Sequence, residues 1–73
     1  MTAAEDGISV TVNGTPETYP PGTTVAGVVA GVCSSARGVA VAVGDAVVPR
    51  AEWEFWALSD GDEVEILTAV QGG

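Results

Sequence analysis

One stretch of this chain carries helical periodicity, and the stretches around it alternate with a period of two. Val25, Val28, Val29 and Val32 fall at i, i+3, i+4 and i+7, one face of a short helix. Thr23 and Thr24 place N-cap hydroxyls just in front of it. Gly27 and Gly31 lie among its other positions, and each internal glycine costs about 1 kcal/mol relative to alanine. Such a helix does not stand alone, so it has to be held by docking onto a sheet.

The candidate strands supply that sheet. Ile8, Val10 and Val12 alternate with Ser9 and Thr11, the pattern of a half-buried strand. Asn13-Gly14 follows at once, a dipeptide that tolerates the positive φ angles of a type I′ hairpin turn. Thr15 to Tyr19 is the returning strand, stopped by Pro20-Pro21-Gly22. After a polar link around Ser34 to Arg37, Val39, Val41 and Val43 face the core while Ala40 and Ala42 leave the other face flat. Gly44-Asp45 turns the chain into a short strand, Ala46 to Val48, which Pro49 ends. Residues 51–58 hold Trp53, Phe55 and Trp56 and are expected to form a turn of helix followed by a loop. Asp60-Gly61-Asp62 is a further turn, and Glu63 to Val70 the last strand. In that strand Val64 and Ile66 point one way, Glu65, Leu67 and Ala69 the other.

The order strand, strand, helix, strand, strand, strand makes an α+β domain. One helix covers one face of the sheet, so the second face is left to water or to a partner. The expected organisation is a loose leader over residues 1–7, a folded domain over 8–70 and a flexible tail over 71–73. At 73 residues there is room for one domain, and a single cysteine and no histidine leave neither a disulfide nor a ready metal site to staple it. Apolar packing, mostly of valine, has to carry the core.

The net charge is −8, with Arg37 and Arg50 the only basic side chains. Phosphate backbones and anionic lipid repel such a chain, which argues against nucleic acid and membrane as partners and for a basic protein surface. The opening MTAAEDGI lacks the basic and apolar regions of a secretory signal, no apolar run reaches membrane-spanning length, and the unpaired Cys33 suits a reducing compartment. A cytoplasmic protein is expected.

Internal catalysis finds no support. Without histidine or lysine the usual general bases and Schiff-base nucleophiles are missing, and Cys33 has no base beside it in sequence. Asp45, Asp60 and Asp62 are explained by turns, and no glycine-rich loop opens a helix to cradle phosphate. The tail Gln71-Gly72-Gly73 is different: two glycines make a filament without Cβ atoms, thin enough to thread a narrow channel and ending in an unhindered carboxylate. A carboxylate is a poor electrophile, so reaction at Gly73 requires activation by another enzyme, as an acyl-adenylate. The plain alternative is a frayed, inert end.

Four pieces taken together, VNG, GTTVA, GVAVAVGDAVVPRAEW and GDEVEILTAVQGG, resemble the thiamine-biosynthesis sulfur carrier proteins, bacterial relatives of ubiquitin. The resemblance runs from Ile8 to Gly73, and its most specific parts are Val48-Pro49-Arg50 with Trp53, and the ending AVQGG. The leader and the Phe55-Trp56 pair depart from the family pattern. The resemblance implies the β-grasp fold, a mixed sheet with one main helix packed on one face, and a protein that is not itself an enzyme. It implies adenylation of the Gly73 carboxylate by an E1-like enzyme that uses ATP, with no cofactor bound to the carrier. Persulfide sulfur derived from a cysteine desulfurase then replaces the adenylate, and thiazole synthase builds the resulting thiocarboxylate sulfur into the thiazole of thiamine. For docking, the uncovered sheet face offers Ala40, Ala42, Leu67 and Ala69 beside acids such as Glu65. The molybdopterin-synthase small subunit and other thiocarboxylate carriers share this chemistry. A ubiquitin-like modifier joined through Gly73 to target lysines, or a binding domain with an inert tail, are the remaining alternatives.

Overall fold

The computed structural model describes residues 7–33 and 37–68. Outside them lie the first six residues of the expected leader, the link at 34–36, Ala69 and Val70 of the expected last strand, and the tail Gln71-Gly72-Gly73. The elements are β1 (Ile8–Val12), β2 (Thr15–Tyr19), α1 (Val25–Val32), β3 (Val39–Val43), β4 (Ala46–Val48), a 3₁₀ turn (Arg50–Glu52) and β5 (Glu63–Thr68).

Two tight turns set the hairpin registers. Asn13 and Gly14 both take positive φ, 52° and 83°, and Val12 pairs with Thr15 across them. At the second hairpin Gly44 has φ 60° while Asp45 stays on the ordinary side, which suits glycine at the first turn position, and Val43 pairs with Ala46. The strand order is β2-β1-β5-β3-β4. β5 runs parallel to β1 and antiparallel to β3, so the last strand in sequence occupies the centre of the sheet.

α1 begins where the sequence places it. The Thr24 hydroxyl accepts a hydrogen bond from the Gly27 N–H at 3.3 Å, and the Thr23 hydroxyl donates to the Pro20 carbonyl at 2.7 Å. The first free N–H groups of the helix go to the following loop: Val25 donates to the Trp56 carbonyl and Ala26 to that of Trp53, each at 3.0 Å. Leu58 in turn donates to the Thr23 carbonyl at 2.9 Å, so residues 53–58 strap the start of the helix.

The core lies between α1 and one face of the sheet: Val10, Val12, Val25, Val28, Val29, Val41, Val48, Trp53, Leu58, Val64 and Ile66 are buried. Val32 departs from expectation. Its spacing assigns it to the core stripe, yet it is 50% exposed. It is the last helical residue; at Cys33 the backbone turns extended, and Cys33 packs against the core beyond it. The expected helical turn within 51–58 is the 3₁₀ turn, which starts one residue earlier at Arg50.

Candidate functional site

The face of the sheet opposite α1 follows from strand alternation. With Val41, Val64 and Ile66 turned inward, Ala40 and Ala42 of β3 and Glu63, Glu65 and Leu67 of β5 turn outward. Register then brings them together: Ala40 is directly opposite Leu67, and Ala42 opposite Glu65. On its other side Ala42 faces Val47 of β4. Leu67 is 65% exposed and Val47 74%, so two alanines lie between two protruding apolar side chains, with carboxylates along β5. Such an arrangement can take up an apolar knob rimmed by basic groups.

Three of the four residues expected on this face, Ala40, Ala42 and Leu67, are therefore neighbours; Ala69 is outside the described residues, as are Gln71, Gly72 and Gly73. Five residues follow Thr68, the end of β5, to reach Gly73. Val47 was missed. The signal was present, because a two-residue turn at Gly44-Asp45 sets Val47 opposite Ala42 and on the same face.

Other candidates have structural occupations. The Asp60 carboxylate accepts from the Ser9 N–H at 2.7 Å, and Asp62 accepts from the Ser59 N–H at 2.8 Å. Both border a shallow hollow of about 260 Å³ between the start of β5 and the β1–β2 hairpin. No group of three or more potential metal ligands occurs among the described residues. The Arg50 guanidinium stands over the Trp53 ring, 5.7 Å from its centroid, and the indole Nε1 donates to the Val48 carbonyl at 3.0 Å. The Val-Pro-Arg-x-x-Trp stretch is thus tied into the fold by its own contacts. Cys33 is half-buried at the helix end. No helix among the described residues is long and apolar enough to cross a membrane.

A five-stranded mixed sheet that grips one helix on one face, with no helix on the other among the described residues, is the β-grasp arrangement of ubiquitin-like proteins. The ThiS family model matches residues 10–73, and the chain belongs to the ThiS family. Proteins of this family are sulfur carriers rather than enzymes. Among solved structures, the chain is similar to the thiamine biosynthesis protein ThiS from Geobacter metallireducens. The two share 29% identity with a TM-score of 0.76, over 90% of this chain and 100% of that one. No curated protein sequence matches the chain.

Proposed function

We propose that this protein carries sulfur for thiamine biosynthesis on its C-terminal carboxylate, Gly73. The observation that carries the reading is the extent of the family match, which runs from β1 through Gly72-Gly73. An adenylating, E1-like partner joins the carboxylate to AMP from ATP, releasing pyrophosphate. A sulfur nucleophile derived from a cysteine persulfide attacks the acyl carbon; the C–S bond forms as the C–O bond to AMP breaks. A thiol of the partner then attacks the donor sulfur of the resulting acyl disulfide, forming a new disulfide as the S–S bond breaks and leaving the thiocarboxylate, which thiazole synthase consumes in the cytoplasm. The carrier binds no cofactor of its own.

Ala40, Ala42, Leu67 and Ala69, joined by Val47, form the docking face in this reading. Its support is the apolar strip on the bare side of the sheet, next to the strand from which the tail continues. Net charge −8 favours partners with basic surfaces. The similarity to a thiamine biosynthesis protein favours this pathway over the molybdopterin branch.

Incubation with ATP, a family-type adenylating enzyme and a sulfide source, followed by intact mass measurement, tests the chemistry. The expected shift is that of one oxygen replaced by sulfur, abolished by deletion of Gly73. No shift with an enzyme active on another carrier refutes the reading, and isopeptide adducts in its place would make the protein a modifier.

A further inference from the structure

β1 accompanies β5 only a short way. Their parallel pairing covers Thr11 with Glu63 and Val12 with Val64. At Asn13 the backbone takes φ 52° and leaves the sheet for the turn into β2. Alternate residues along β5 and just before it address β1: the Thr11 N–H donates to the Asp62 carbonyl at 3.0 Å and the Asn13 N–H to that of Val64 at 2.9 Å. Next in this alternation is Ile66, whose N–H would meet the Asn13 carbonyl and whose C=O the N–H two residues further on if the strand continued. The Asn13 side chain serves both. Its Oδ1 accepts from the Ile66 N–H at 2.8 Å, and its Nδ2 donates to the Ile66 carbonyl at 3.2 Å.

A carboxamide carries the same donor and acceptor as a peptide group, so this side chain acts as one more residue of β1. The turn alone does not demand it, because aspartate and glycine also accept positive φ there. Aspartate cannot donate to the Ile66 carbonyl and glycine offers neither group. Asparagine satisfies the turn and the strand together.

Building on the carrier reading above, we propose that Asn13 is a positioning residue for the sulfur-carrying tail. The clamp holds β5 in the sheet at Ile66, two residues before the strand ends at Thr68 and seven before Gly73. On its other side the same stretch is held by β3, through Val41 opposite Ile66 and Ala40 opposite Leu67. Freeing one side loosens the strand from which the chain continues to Gly73 and raises the ordering cost when the carboxylate enters the adenylating enzyme. The carboxylate itself, once seated, is unchanged.

Two variants separate the clamp from the turn. Asn13→Gly keeps the turn and removes both side-chain bonds; Asn13→Asp keeps the turn and the acceptor but sets an acceptor-only oxygen against the Ile66 carbonyl. Amide hydrogen exchange is expected to show Ile66 protection falling about tenfold in Asn13→Gly and by less in Asn13→Asp, with β3 amides unaltered. In adenylation assays the KM for the carrier is expected to rise about five- to tenfold in Asn13→Gly, with kcat within about twofold of the parent. General destabilisation would instead lower protection everywhere and leave the KM of the folded protein alone. Unchanged Ile66 protection, or an unchanged KM despite lost protection, overturns the positioning role. Failure of the carrier reading is seen separately, since the unsubstituted protein would then not be adenylated at all.

Discussion

Replacing Trp53 by phenylalanine tests whether the Val-Pro-Arg-x-x-Trp stretch serves the fold or the partner. Trp53 is 5% exposed, packs in the core and gives its indole N–H to the Val48 carbonyl at 3.0 Å. Phenylalanine keeps an aromatic ring but loses that donor, at a cost of about 1 kcal/mol. The smaller ring also buries about 40 Å² less apolar surface, roughly another 1 kcal/mol, and any cavity left behind adds to this. The expected destabilisation is therefore about 2–3 kcal/mol. A 73-residue domain at roughly 0.05–0.15 kcal/mol per residue has about 4–11 kcal/mol in total, so the variant stays folded at room temperature. Its Tm should fall by roughly 10–20 °C, since 1 kcal/mol shifts a domain of this size by about 4–8 °C.

Urea unfolding followed by circular dichroism gives the free energy directly, with m unchanged if the unfolded ensemble is unaffected. A loss below about 0.5 kcal/mol would refute the packing argument, that being the range of substitutions that touch nothing. Thiocarboxylate formation supplies the second readout. At a temperature where the variant is fully folded, its loading should equal that of the parent within about twofold. Full stability with lost loading would show that Trp53 contacts the partner, against its burial here.

Leu67→Asp should do the reverse: at 65% exposure it should alter stability by less than about 0.5 kcal/mol, while weakening capture by the adenylating enzyme at least about tenfold. An unchanged KM would remove Leu67 from the docking face. Thr24→Ala removes the hydroxyl that accepts from Gly27, and at 3.3 Å this cap is long, so a loss of about 0.5–1 kcal/mol by chemical denaturation is expected. Tyr19, the only tyrosine, should titrate above its ordinary 10.0 in an absorbance titration, because burial disfavours the phenolate and the Glu17 carboxylate adds to this. Its contribution to stability is complete below the ordinary value and is lost as pH rises through the raised one. Glu17→Gln should lower the midpoint while leaving it above 10.0, and a midpoint at or below 10.0 in the parent protein would contradict the partly buried setting.

What could be read from the sequence was whatever repeats with a fixed period. Val10 and Val12, Val39 to Val43, and Val64 with Ile66 all point as alternation demands, and the Asn13-Gly14 and Gly44-Asp45 turns fix their hairpin registers. The apolar side of the bare face was legible for the same reason, through Ala40, Ala42 and Leu67. Periodicity fails where a regular element ends. Val32 keeps its helical spacing but sits at the last turn, and among the three loop aromatics no period told buried Trp53 from Phe55, which is 81% exposed. Contacts across long sequence separation were also hidden. Asn13 is legible as a turn residue, but its side chain meets Ile66 fifty-three positions away, through a parallel pairing that local pattern does not encode.

The position of β5 in the strand order gives these observations a common sense. An edge strand is bonded on one side only, and its end is free to fray without disturbing the core. β5 lies between β1 and β3, and its inward residues Val64 and Ile66 are both part of the buried core. Loosening it therefore means opening the core. In the proposed carrier role, the terminus has to reach its partners from a fixed place beside the docking face. Continuing the chain from a strand held on both sides meets that need, because the sheet fixes the point of departure. β1 turns away at Asn13, and the amide left there completes the pairing that the backbone abandons.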